Sequence, residues 1–259
     1  MKIRIKFRKF GVMKFIGHLD IMRYFQKAMR RADIDICYSE GFSPHQIMSF
    51  AAPLGVGITS DGEYLDIEVH STRSTEESIK ALNDTMVEGV EITGYVQLPD
   101  QAKTAMSIVA AADYELYFKE GYEPPVTVAE FRKGLEEYFI KPDEVLITKQ
   151  TKKSEKTMDL KQLVYAFEVR EMPLCGKTGA SDSLTAASSK TADRPLFALR
   201  VSTGSSDNLK PELVLETLFQ AMGLSYDANA IQIHRKDVYA FCEDGKNYIS
   251  LGDMGERIL

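Results

Sequence analysis

The sequence predicts an α+β fold, and three observations carry that prediction. Hydrophobic periodicity over the first hundred residues runs strand, helix, strand, strand, helix, strand. A looser copy of the same order follows in the second half, and Leu98-Pro99-Asp100 punctuates the chain between them. The order is that of a split βαβ, so the expected architecture is two tandem ferredoxin-like domains with antiparallel sheets, at 1–100 and 101–259.

Ile3, Ile5 and Phe7 alternate with Lys2, Arg4, Lys6 and Arg8. That period of two makes a half-buried strand with a basic outer face. Residues 17–32 change to helical spacing, with Leu19, Met22, Phe25 and Met29 on one stripe. Arg23, Lys27, Arg30 and Arg31 keep the same spacing on another face, although adjacent residues such as Arg30 and Arg31 diverge by roughly 100°. The loop YSEGFSPH, a short strand in IMSFAAPL, a GVGITSDG turn and a strand in EYLDIEV come next. Ser74 with Glu77 fits a capping box for a helix through Asn83, and VEITGYVQL closes the first domain as a strand.

In the second half SIVAAADYELYF, EVLITKQ, LVYAFEVR, PLFALRVS and AIQIHRKDVYAF read as strands. VTVAEFRKGLEEYF and KPELVLETLFQAMG read as helices, the second stopped by Gly223. Residues 172–194 are rich in Ser, Thr, Ala and Gly and read as a mobile loop or hairpin excursion. The polar tail beyond Cys242 is expected to be weakly ordered.

With 44% hydrophobic and 27% charged residues, the composition is that of a soluble globular chain. No apolar run of about 18 residues is present, so no membrane span is expected. MKIRIKFRKFGVMKF lacks the apolar core of a secretion signal, which leaves the cytoplasm as the expected location. Cys37, Cys175 and Cys242 are far apart and form no CxxC, against a disulfide framework, a zinc knuckle or a cysteine-held cluster. No cofactor or metal is expected. Residues 1–60 hold ten Lys and Arg against four Asp and Glu, a net +6 in a chain of −6, so the remainder carries −12. Such asymmetry suggests one anion-facing surface on an acidic body.

Several residues invite a chemical role. Arg23, Lys27, Arg30 and Arg31 suit phosphate contacts, with pairing to Asp20, Asp33 or Glu40 as the structural alternative. In EGFSPH, Gly41 offers flexibility and His45 a donor, while Phe42 either stacks on a base or plugs the core under the loop. Glu40 has an equally plain role as partner of Arg30 or Arg31. His18 opens the first helix, with Asp20 two residues on, and its imidazole suits either proton transfer or a structural hydrogen bond. Glu63 and Asp66 are three apart on a strand and so face opposite ways, against a paired acid and base. A cation site from Glu63, His45 and Glu40 is conceivable, but the spacing does not require it. GVG at 55–57 is no phosphate loop, and no nucleophile elbow occurs.

The stretch from Lys9 to Asp66 resembles the opening of the radical-SAM-linked bacterial protein family, whose function is unknown. The resemblance rests on Lys9, Gly11, Lys14, Phe15, Gly17-His18-Leu19-Asp20, Arg30-Arg31-Ala32 and Tyr38-Ser39-Glu40-Gly41-Phe42-Ser43-Pro44-His45. It continues through Pro53-Leu54, Gly55, Gly57, Ser60, Glu63, Tyr64 and Asp66, and thins afterwards to MDLKQLVYAFEV and IHRKDVYAF. Gln46 departs from a position where a basic residue is common, and Ala51-Ala52 pads the segment before Pro53. The resemblance implies an accessory protein of a separate radical-SAM iron–sulfur enzyme, with RNA or a ribosomal component as substrate. The chain lacks the CxxxCxxC such a cluster needs, so the radical chemistry belongs to that partner. Three functions follow as expectations: RNA binding or presentation without catalysis, metal-independent RNA cleavage with His18 as general base, and docking to the enzyme alone.

Overall fold

Strand β1 (Lys2–Lys9) buries Ile3, Ile5 and Phe7, as its alternation predicts. A 3-10 turn over Gly11–Phe15 leads into α1 (His18–Arg31). Next come β2 (Met48–Phe50), β3 (Thr59–Glu68), α2 (Thr75–Asn83), β4 (Val90–Leu98), α3 (Ala105–Ile108) and β5 (Val109–Phe118). Helix α4 (Val128–Leu135) runs on into a π-helical turn over Glu136–Ile140. The remaining elements are β6 (Leu146–Gln150), β7 (Glu155–Asp159), β8 (Val164–Glu171), β9 (Pro195–Ser202), α5 (Pro211–Ala221), β10 (Ile231–Phe241) and β11 (Tyr248–Ser250). The computed structural model describes residues 1–150, 155–172, 194–204, 207–242 and 244–259. The excursion expected at 172–194 therefore lies outside the described residues, apart from Met172 and Arg194, which are joined by an N–H···O bond of 2.8 Å.

The fold is mixed α/β, with a large, mostly antiparallel sheet and five α-helices among the described residues. No helix among those residues is long and apolar enough to cross a membrane. Two compact units are present. The first comprises Met1–Asp113, Val201–Leu209 and His234–Leu259, and the second Tyr114–Arg200 and Lys210–Ile233. The first unit thus reaches past the boundary expected at residue 100 and draws in two later segments.

In the first unit β1 lies between β3 and β4 and pairs antiparallel with both. Strand β3 is bordered twice on its other side: β2 pairs antiparallel at Leu65–Ile67 and β10 pairs parallel at Thr59 and Ser60. Ile3, Ile5 and Phe7 meet Phe25 and Met29 of α1 in one apolar core. The Phe7 and Phe25 rings lie 4.8 Å apart, and Phe25 and Phe50 lie 5.7 Å apart. Ser74 and Glu77 form the expected capping box at the start of α2.

Two expectations are corrected here. The second face of β1 is not a solvated basic surface. Arg4 is only 1% exposed and holds Asp66 through two bonds of 2.7 and 2.9 Å. Lys6 pairs with Asp237 at 3.0 Å, and Arg8 with Asp61 and Glu91 at 2.8 and 3.0 Å. Nor is the tail loose. β11 pairs with β10, Leu251 is fully buried, Arg4 donates to the Leu251 carbonyl, and Gln97 and Glu256 exchange backbone bonds. The tail meets β1 where Arg4 finds the Leu251 carbonyl and the Met254 sulfur. Gly62, read as a turn residue, lies inside β3. A Cβ at this position would come within 2.7 Å of the Asp237 Cα, so only glycine permits this approach to β10.

In the second unit the strands run in the order β5-β9-β8, with α4 and α5 packed through Phe131, Phe197 and Phe219. EVLITKQ holds the expected strand as β6, which pairs with β7 in a separate two-stranded sheet.

Arg4→Ala leaves Asp66 buried without its cation. The expected loss is about 3–5 kcal/mol of unfolding free energy, read from urea denaturation. A loss below 1 kcal/mol would show that the pair does not hold β1.

Candidate nucleic-acid interface

Helix α1 buries Ile21, Phe25, Ala28 and Met29, and this fixes its rotation. Arg23, Lys27, Arg30 and Arg31 are thereby turned outward, and all four are exposed. Arg23 meets Asp20 at 3.5 Å, with both side chains 69% exposed, a pair worth little in water. Arg31 donates to the Thr85 carbonyl at 3.3 Å and lies 5.9 Å from the Tyr24 ring centre. Arg30 stands near enough to the Tyr38 hydroxyl to lower its pKa. Among the described residues, Lys27, Arg30 and Arg31 have no carboxylate at ion-pair distance. The basic helix is therefore unlike the basic strand: one keeps its charge for solvent, the other is neutralised within the chain.

The YSEGFSPH loop is a small closed turn beside this helix. Ser39 N–H donates to the His45 carbonyl at 2.8 Å, and Ile47 N–H to that of Cys37 at 2.9 Å. Ser39 Oγ and His45 Nδ1 lie 2.8 Å apart. Gly41 takes a φ of +109°, a conformation that disfavours any side chain. Phe42 is 111% exposed, so it plugs no core. Glu40 is exposed and forms no ion pair with Arg30 or Arg31, contrary to its plain structural reading. Gln46 is 3% exposed and donates to the Gln26 carbonyl of α1 at 3.3 Å and to Tyr38 at 3.4 Å. It ties the loop to the helix, a task a basic side chain would not perform as well in a buried position. Hydrogen bonds from Gln46 and then Arg30 hold the Tyr38 hydroxyl below its ordinary pKa.

Other candidate residues serve the fold. Glu63 is buried and meets Arg235 with both oxygens at 3.1 Å, while Asp66 is committed to Arg4 and to the Ala105 N–H. Burial pushes the Glu63 carboxyl up, against the attraction of Arg235. Since His45 and Glu40 are exposed, the three do not share a cation site. No cluster of three His, Cys, Asp or Glu among the described residues is placed to hold a metal. His18 begins α1, and its ring packs edge-on to Phe50 at 5.3 Å. Val12, Phe15 and Leu19, in the turn before α1 and its first residues, are 77, 64 and 62% exposed.

Sequence inspection missed the group around Asp61. His234 Nε2 lies 3.0 Å and Lys236 3.6 Å from its second oxygen, with Arg8 on the first. Lys9 nearby is 2% exposed and donates to the Ile16 carbonyl, and burial pushes its ammonium below the ordinary pKa. The only signal in the sequence was the IHRKDVYAF stretch, which bears no mark of its distant carboxylate partners.

A family model described as an uncharacterized protein conserved in bacteria, DUF2344, matches residues 2–211. The chain belongs to this family. The family match takes in α1, the Ser39–His45 turn and β1 to β9. A search of curated proteins finds no match.

Two outcomes are expected. Burial pushes the Asp61 carboxyl up, but hydrogen bonds from Arg8 and His234 outweigh it and hold it below its ordinary 3.8. The resulting stability is present above pH ~4 and is lost as pH falls through the lower folded value. Asp61→Asn should therefore flatten the acid limb of a stability–pH profile, and an unchanged limb would count against the cluster. Phe42→Ala should alter stability by no more than about 0.5 kcal/mol in thermal or urea unfolding, as its ring touches no core.

Proposed function

We propose that this chain binds unpaired RNA through the outer face of α1 and the Ser39–His45 loop, and that it does so without catalysing a reaction on the RNA. The observation that carries the reading is the exposed face of α1, where Lys27, Arg30 and Arg31 lack carboxylate partners among the described residues. Cations at helical spacing follow a phosphate backbone and fix its position, while an exposed aromatic such as Phe42 or Tyr38 stacks on a base. The Ser39–His45 bond pair and Gln46 hold the loop in place before RNA arrives, which reduces the ordering cost of binding.

The wider reading is that of an accessory protein in the cytoplasm, presenting RNA or a ribosomal component to a separate radical-SAM iron–sulfur enzyme. The resemblance over Lys9 to Asp66 supports this. Exposed Val12, Phe15 and Leu19 offer that enzyme an apolar contact beside the RNA. The architecture is that of two tandem ferredoxin-like domains. The orders β4-β1-β3-β2 and β10-β5-β9-β8 support it, since each places the first strand of its set beside the third and fourth.

Fluorescence anisotropy with a short unstructured RNA at several salt concentrations tests the interface. Four phosphate contacts give a log–log slope of about −2.8 on a single strand, and Arg23→Ala with Arg30→Ala should reduce it to about −1.4. Affinity that ignores salt, or survives the double substitution, would remove the reading. Phe42→Ala should weaken binding by about 1–3 kcal/mol in the same assay.

A further inference from the structure

Just past the end of α1, Asp33 takes a φ of +53° and turns the chain back toward β3. A cavity of about 540 Å³ opens between that end and the segment leading into α2. The volume lies within the range of small-ligand sites, roughly 300–1,000 Å³.

Its lining has two chemical ends. Arg30 and Arg73 supply guanidinium groups. Arg73 reaches the Ala32 and Asp33 carbonyls and the Asp33 carboxylate, but all three contacts are 3.4 Å long, so it keeps donors for a better acceptor. Asp35 supplies the other end: its Oδ2 accepts from Ser71 at 2.7 Å, while its Oδ1 accepts no bond among the described residues. Tyr38, 45% exposed, lines the same cavity, and its hydroxyl accepts from Gln46 at 3.4 Å. A bare anion would satisfy the arginines and meet repulsion from Asp33 and Asp35. A molecule with a phosphate at one end, a flat ring in the middle and N–H donors at the other satisfies all of them.

We propose that this cavity takes one unstacked nucleotide of the bound RNA, its phosphate at Arg30 and Arg73, its base on Tyr38 and an N–H edge toward Asp35. The RNA as source rests on the function proposed above, while the cavity's preference for a nucleotide does not. Guanine presents two adjacent N–H donors to a carboxylate and uracil presents one, so guanosine is the preferred base.

Calorimetric titration of the full chain with guanosine 5′-monophosphate, uridine 5′-monophosphate and inorganic phosphate tests the site. The guanosine nucleotide should bind saturably and about tenfold more tightly than phosphate, with the uridine nucleotide between them. Arg73→Ala and, separately, Tyr38→Leu should each weaken it about tenfold, while Lys133→Ala, at an exposed lysine with no part in either proposed site, leaves it unchanged. Tyr38→Leu, at an exposed position, decides the matter if Arg73→Ala fails to fold. Guanosine nucleotide binding no tighter than phosphate, or unchanged in the folded variants, overturns the proposal. If RNA still binds α1 in that case, only the cavity is lost. If nucleotides bind through these residues while RNA ignores α1, the cavity stands and the surface reading falls.

Discussion

A basic strand enters a folded core only if each of its cations meets an acceptor. The pairing of Arg4 with Asp66, register partners on β1 and β3, is where this chain satisfies that condition most fully. An unpaired guanidinium at that depth would cost several kcal/mol, so the position of Asp66 fixes how β1 and β3 align. Asp66 also accepts from the Ala105 N–H, which brings the start of α3 to the same place. Arg4 in turn donates to the Leu251 carbonyl, anchoring the C-terminal segment across β1. One ion pair thus joins the first strand, the third strand and the last residues.

The same constraint sorts the cations of the first sixty residues into two classes. On β1, Arg4, Lys6 and Arg8 are held by Asp66, Asp237, Asp61 and Glu91, and Lys2 and Lys9 by backbone carbonyls, so all five are components of the fold. Those on α1 cannot reach these carboxylates, because Phe25 and Met29 pin the opposite face of the helix to the core. Their charge remains on the surface next to an aromatic loop that buries nothing. A surface kept basic in a chain of net −6 is the ground for the proposed polyanion binding, and the proposed nucleotide cavity adjoins it.

Local chemistry was legible in the sequence, and pairing between distant segments was not. The Ser74–Glu77 box and the Gly223 stop rest on short-range spacing, and each is present. The α1 stripe is shifted: Phe25 and Met29 are buried as expected, but with Ile21 and Ala28, while Leu19 is exposed. The alternation of β1 announced which residues face the helices, but not that Arg4 would be buried, because Asp66 lies sixty residues away and the covering tail nearly two hundred and fifty. Gly62 read as a turn because a DG pair usually is one; the close approach of β10 assigns it to a strand instead. At the interface the four cations, Phe42 and the Ser39–His45 turn stand out in the sequence. Arg73 and Asp35 do not, since only the folding of α1 against α2 brings them to one cavity.

The central claim is that RNA contacts α1 and the Ser39–His45 loop. Photocrosslinking with a 4-thiouridine-substituted single strand, followed by mass spectrometry of the attached peptides, tests it most directly. Crosslinks should concentrate on Tyr38, Phe42 and the outer face of α1, and should disappear with Lys27→Glu and Arg30→Glu together. Crosslinks confined to the second unit, or a yield indifferent to that charge reversal, would contradict it.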